Sequence, residues 1–347
     1  MQRGSFWAIS TITGIASLGV GPAKTAEAGT FVRSGIEFCE VRAPGNRAPT
    51  EAEMPNLPGL RRPGSVGYEY AIAKTELTAG EYLGFLQAYA KFYPVNPFDG
   101  GVTGDYIFGE NTPSGLRLDL VNPVVARRPT SMSWRMAATY CNWLHNDRAM
   151  TREAFESGAY DTRTFGKDSN GRFTDQIVRS PGARFWIPNH DEWIKATFFD
   201  PNRYGMDAAG YWPFAGSSDA PLRAGDPLLG GQTNAGDAPP GQWKQLDVGS
   251  YPNFSSPWGL LDTSGGTSEW LDGSIQANST GLGVDFAGSK WTNIDLQAQY
   301  YDSLGVFSSG FPMFDSAGLR IATVIPMPAT SVCLAFGLCA FSRRNRI

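Results

Sequence analysis

The chain is short of the residues that metal and thiol chemistry use most: its 347 residues include two histidines and four cysteines. Two histidines exclude a three-histidine metal centre, and four cysteines are too few for a disulfide-dense scaffold. Cys333 and Cys339 lie together in an apolar tail. That leaves Cys39 and Cys141 for the body, as a pair in an oxidising compartment or as two lone buried thiols. Their spacing matches no zinc pattern. An excess of charge of one sign is lacking too: 29 Lys and Arg against 33 Asp and Glu give a formal net charge of −4. No basic run precedes the last few residues, which argues against a nucleic-acid surface. No phosphate loop, Ser-His-Asp arrangement or internal repeat is legible, and no clean linker interrupts 35–323, so the body reads as one domain.

What is present in quantity is glycine (41) and proline (24), with aromatics at 13%. Loops are therefore many, and there is apolar surface to pack them against. Thr78-Ala79-Gly80-Glu81 forms a capping box, and the helix after it places Tyr82, Phe85, Leu86 and Tyr89 on one face. Ser133 caps a second helix with an inward stripe of Ala137, Tyr140, Cys141 and Leu144. Asn189, with Glu192 three residues on, starts a third helix that sets Trp193 and Ala196 inward. His145 ends the second helix, where the C-terminal dipole accounts for it, and His190 in the first turn of the third reads as a surface residue. Strand-like pieces stand at 68–73, 286–291 and 319–324. The stretches 94–130, 158–182 and 200–250 read as long loops, which are functional or need something to fix them.

Both ends read as addresses. Residues 1–28 have Arg3, an apolar and small-residue stretch, then Ala26-Glu27-Ala28, the order of a secretory signal peptide with cleavage before Gly29. Residues 324–347 combine prolines, an apolar run from Val332 to Phe341 and a cluster of Arg343, Arg344 and Arg346. That run is short for a 30 Å hydrocarbon core, and the basic cluster after it fits the positive-inside rule, leaving the body outside the cytoplasm. The tail resembles the bacterial Pro-Glu-Pro C-terminal sorting signal (PEP-CTERM), with Met327 in place of Glu. The resemblance implies an exosortase-type processing enzyme as a partner.

Six stretches of the body carry a second resemblance. They are YAIAKTELTAGEYLGFL (70–86), PTSMSWRMAATYCNWL (129–144), RFWIPNHDEWIKA (184–196), VGSYPNFSSPWGLLDTSGGTSEW (248–270), AGS (287–289) and GLR (318–320). In this order they resemble the formylglycine-generating enzyme family, also called the sulfatase-modifying factor domain. The resemblance implies an irregular, loop-rich α+β single domain over 29–323, related to C-type lectins and stabilised by calcium.

The family's oxidase binds copper(I) through two cysteines a few residues apart, just after its R-G-G-S stretch. Thiolates are the soft ligands that select Cu(I). Here that stretch reads AGSKWTNIDLQAQYYDS, without a cysteine, and the paired positions fall near Thr292 and Gln297. No copper and no formylglycine-generating activity are expected, and no catalytic residue is assigned. Calcium is expected at Asp262, Thr263, Gly265 and Thr267, where the family's loop supplies a side-chain oxygen and three carbonyls. Gly266 replaces the usual Asn there and Ser268 the usual Trp. A second family calcium position carries over to Asn234 and the Ala235 carbonyl. Trp134, Trp143, Trp193 and Trp270 fall in core motifs and are expected to pack inside. The reading is an exported binding or structural module at the cell envelope, cell surface or matrix of a bacterium. Its expected partners are an extracellular polysaccharide or a surface protein, with membrane attachment through the C-terminal segment. The alternative is an enzyme, oxidoreductase-like or other, with an unrecognised site on the same fold.

Overall fold

The computed structural model describes residues 29–54, 62–236, 245–273, 277–278, 281–293, 295–315 and 317–326. The expected signal peptide and most of the expected sorting tail lie outside these.

An antiparallel five-stranded sheet runs in the order Thr30–Arg33, Ile36–Val41, Tyr70–Ala73, Ala322–Thr323, Phe185–Trp186. The chain's last described strand thus sits between the third strand and one from the middle of the sequence, closing the domain end to end. A smaller sheet pairs Val284–Ala287 with Phe307–Gly310 on one side and Glu269–Trp270 on the other. Folding extends past residue 323: Val324 O accepts from Arg33 Nη1 at 3.4 Å, and Ile325 packs against the core.

The three expected helices form where their caps place them. Ala79–Tyr89 opens with a reciprocal Thr78/Glu81 capping box, and His190–Phe198 opens with the same device from Asn189 and Glu192. Trp134–His145 starts at Ser133, whose hydroxyl accepts from Met136 N. Of the expected inward stripes, Tyr82, Phe85 and Leu86 on the first helix and Ala137, Tyr140, Cys141 and Leu144 on the second are buried, while Tyr89 is half-buried against the core. The 94–130 stretch is more ordered than a loop. It holds a hairpin, Ile107–Thr112 with Gly115–Leu120, whose alternating Leu116, Leu118 and Leu120 turn toward the 79–89 helix and whose turn uses Gly115 at φ +116°.

Trp134 and Trp270 have no exposed surface, and Trp193 and Trp143 are buried as well, so the packing assignment holds for all four. Trp134 Nε1 donates to Leu271 O (3.1 Å) and Trp270 Nε1 to Met132 O (2.8 Å), tying the start of the second helix to the small sheet in both directions. These two indoles thus bury their rings without stranding their N–H groups, whereas Trp143 Nε1 is buried without a partner.

Candidate functional site

At the centre of the domain, Arg320 is fully buried and spends its guanidinium on Glu269 Oε1 (2.7 Å) and on the carbonyls of Ala73, Lys74, Leu261 and Asp262. Those four carbonyls belong to two chain segments, 73–74, which leads to Glu76, and 261–262, which opens the loop 261–268 that carries the site. The second oxygen of Glu269 accepts from Trp193 Nε1.

The loop then makes a tight passage. Asp262 lies at φ +57°, Gly265 at +85° and Gly266 at +56°. A Cβ on Gly265 would stand 2.1 Å from Asn234 Oδ1, and one on Gly266 would stand 2.2 Å from Glu76 Oε2. Glycine is therefore required twice, by backbone conformation and by close approach. Where the family has Asn, Gly266 admits the Glu76 carboxylate against the backbone and gives its own N–H to Asn234 Oδ1 at 2.9 Å.

Glu76 is the part of this site that no local pattern announces. It is buried, and its Oε1 accepts from Thr267 N (2.6 Å) and Thr267 Oγ1 (3.2 Å), while its Oε2 has no hydrogen-bond partner. Burial, then the neighbouring Asp262 and Glu269, push its carboxyl well above the usual range, with Arg320 opposing. Asp262 is pushed up to about 6, first by burial, although Gly249 N donates to its Oδ2 at 2.6 Å. Glu76, Asp262, Asn234, Ser264 and Gly266 line one small cavity with room for about one water-sized particle.

Of the four residues expected to bind calcium, Asp262 lines this cavity. Thr267 turns its N–H and hydroxyl to Glu76, Gly265 N donates to Ser289 Oγ (2.9 Å), and Thr263 Oγ1 is buried without a partner. Asn234, from the second expected position, lines the same cavity, so residues from both expected positions converge there. Among the described residues no group of three or more His, Cys, Asp and Glu side chains is arranged to hold a metal. The donor set fits a hard cation on two grounds: an unpartnered buried carboxylate oxygen, and two buried carboxylates whose mutual repulsion a cation relieves. Amide and backbone oxygens would have to complete the shell.

The 287–303 stretch is filled by hydroxyls and a carboxylate. Ser289 is buried, its N–H donates to Asp302 Oδ1 (3.1 Å), and Ser264 Oγ donates to Asp302 Oδ2 (2.5 Å) and contacts Thr233 Oγ1 (2.9 Å). Burial pushes Asp302 up to about 6 against these bonds. Thr292 is half-buried, and Gln297 is exposed on the helix Asp295–Tyr301. Cys39 and Cys141 are unpaired and buried, and burial raises both thiols, Cys39 to about 11. Neither has the lowered pKa of a reactive thiol.

Both histidines differ from expectation. His190 is buried, with Nε2 3.0 Å from Asp285 Oδ2 and its ring edge-on to Phe307. An acidic neighbour 95 positions away accounts for a burial that helix position did not foretell. His145 does end its helix, but Nδ1 accepts from Arg184 N at 3.0 Å, and burial followed by Arg184 lowers its pKa. A neutral acceptor, not a cation on the helix dipole, explains it.

No curated protein matches the chain significantly. Among solved structures, Treponema denticola variable protein 1 is 18% identical with a TM-score of 0.50, covering 87% of this chain and 100% of that one. PvdO from Pseudomonas aeruginosa is 16% identical (TM-score 0.48; 86% and 99% covered), and CarF is 20% identical (0.47; 75% and 88%). At such identities the first likeness speaks to the fold alone. The model of the sulfatase-modifying factor enzyme 1-like domain matches residues 43–323, starting after the hairpin that supplies the first two strands, and by that match the chain belongs to the sulfatase-modifying factor, or formylglycine-generating-enzyme-like, family.

Proposed function

We propose that the chain is an exported binding or structural module on a formylglycine-generating-enzyme-like domain that has lost the oxidase chemistry, held at the envelope, cell surface or matrix. The observation that carries this reading is the absence of cysteine from 287–303, where the family's paired positions fall near Thr292 and Gln297 and where Ser289 and Asp302 join Ser264 in a buried network. Hydroxyl and carboxylate oxygens do not substitute for thiolates as Cu(I) ligands. The two body thiols lie in the Ile36–Val41 strand and the Trp134–His145 helix, buried with raised pKa.

Calcium belongs to this reading as a structural ion. Asp262 and Glu76 would hold it, with Asn234 and backbone oxygens of the 262–267 loop completing the shell, and the charge it supplies there is the charge the two buried carboxylates lack. The tail would serve as a short anchor processed by an exosortase-type enzyme, and the partner would be an extracellular polysaccharide or a surface protein. Fractionating cells that express the full chain, beside a form ending at residue 326, tests the localisation. The full chain should stay with the envelope or matrix and the shortened one should appear folded in the medium. Cytoplasmic retention of both would refute the proposal.

A further inference from the structure

A cleft of about 380 Å³ lies between the end of the Ala79–Tyr89 helix, the start of the Trp134–His145 helix and the turn at 162–165, and it shares no lining residue with the Glu76–Asp262 cavity. Its size falls in the range of small-molecule sites. Tyr89, Phe155 and Phe165 make its walls apolar. Arg135 is held rigidly in the lining. Its Nε and Nη2 donate to the two oxygens of the buried Asp175 (2.6 and 2.9 Å), and Nη2 also reaches Gly166 O (3.3 Å). The guanidinium stands 5.7 Å from the Phe165 ring and 5.9 Å from the Phe173 ring.

That leaves Nη1, which has no acceptor among the described residues, on a side chain that keeps 25% of its surface exposed. Asp99, also in the lining, is exposed and complements it. Its Oδ1 accepts from Gly101 N (3.0 Å) as the cap of the Gly100–Thr103 turn, and its Oδ2 has no donor among the described residues. The lining therefore holds one unused N–H edge and one unused carboxylate oxygen. An ammonium ligand brings donors alone and a carboxylate brings acceptors alone; hydroxyl groups bring both. Aromatic surface adjoins these groups. Met313 lines the cleft between Phe311 and Phe314, which are 40% and 54% exposed. Phe311 packs on Phe173 with ring centroids 5.8 Å apart, and Phe173 is the ring that Arg135 abuts, so packing fixes Phe311 beside the cleft. An exposed ring so held can take the apolar face of a sugar.

We propose that this cleft binds the end of a neutral glycan of equatorially substituted hexoses, whose ring faces are flat C–H surfaces. Arg135 and Asp99 hydrogen-bond the hydroxyl groups of the end unit, and Phe311 stacks on a unit that follows. The proposal rests on the chain being a binding module and names the ligand class and its site. Titrating the full chain with cellohexaose, glucose and hexagalacturonate tests it by calorimetry. Cellohexaose should bind saturably. Glucose, which enters the cleft without reaching Phe311, and hexagalacturonate, which brings carboxylates toward Asp99, should each bind at least tenfold more weakly. Phe311→Ala, at an exposed position, should weaken cellohexaose at least fivefold toward the level of glucose. Asp99→Asn keeps the cap of the turn and changes the free oxygen, so it should weaken both sugars three- to fivefold. The exposed Val178→Ala, outside this cleft, should change neither. No binding of cellohexaose, equal binding of hexagalacturonate, or an unchanged titration with both Phe311→Ala and Asp99→Asn would each overturn the assignment. Retention of the same protein on extracted envelope or matrix separates the two levels. Retention without cellohexaose binding defeats this cleft alone, and its loss after protease treatment of the matrix would give the exposed phenylalanines to a protein partner instead. Absence of retention defeats the module reading.

Discussion

Two buried glutamates, both about 2% exposed, divide the molecule into scaffold and site. Glu269 is answered on both oxygens, by Arg320 and by Trp193, and Arg320 in turn ties down four carbonyls from two chain segments. Glu76 is answered on one oxygen by Thr267 and on the other by no donor. The first arrangement holds loops in place; the second leaves charge for a ligand to meet. A loop-rich domain needs both, because few regular elements fix its long connections and a buried polar group left unmet costs stability.

The largest effect should come from breaking the answered pair. Arg320→Leu leaves Glu269 without its cation, with only the Trp193 N–H as donor, and frees four carbonyls, so a loss of about 3–5 kcal/mol in chemical unfolding is expected. A smaller loss than that of an ordinary core truncation would show that the pair does not organise the fold. Next is the unanswered pair. A cation bound only by the folded chain adds about 2.7 kcal/mol at a hundredfold excess over Kd. Calcium should therefore raise the melting temperature of the full chain, Asp262→Ala should remove most of that rise, and the distant Asp168→Ala should not. An unchanged melting temperature on chelation would defeat the calcium assignment.

Glu76→Gln sharpens the contrast further. In chelator, and at a pH alkaline enough to ionise the Glu76 carboxyl that burial raises well above the usual range, it should stabilise the chain by about 1 kcal/mol by removing a buried charge that lacks a full set of donors, and it should blunt the calcium response. The corresponding Glu269→Gln should destabilise. The smallest effect concerns pH. Asp262 and Asp302 are pushed up to about 6 and Asp272 to about 8, all chiefly by burial, so the folded chain binds more protons than the unfolded one between about pH 4 and these values. These groups favour folding most at the acid end of that window, and their contribution falls as pH rises through the folded values. In chelator the melting temperature should decline from pH 5 to 8, and calcium should flatten the part due to Asp262. A melting temperature that climbs over this range in chelator would contradict the shifts.

Much of this was legible where the signal is local. The three helices announce themselves through caps within three residues of their starts, and the core tryptophans through motifs on those helices and on 248–270. Long-range chemistry was less so. Glu76 meets Thr267 across 191 positions, and His190 is buried by a partner 95 positions away, so neither pattern nor spacing placed them. The 107–120 hairpin is a different case: alternating Leu116, Leu118 and Leu120 after the turn glycine Gly115 were visible signals inside a stretch read as a loop. The Asp262 carboxylate of the 261–268 loop was visible in the sequence, and the glycine pair at 265–266 was legible as a turn. That the pair clears space for two side chains from elsewhere required the fold.

The central claim is that the family's scaffold persists here without its oxidase chemistry. The most direct measurement incubates the full chain with copper(I), oxygen and a cysteine-containing sulfatase peptide and follows the peptide's mass. Without a thiolate pair in 287–303 the cysteine should stay unconverted, at the level of a reaction without the protein. Conversion to formylglycine above that level would contradict the account.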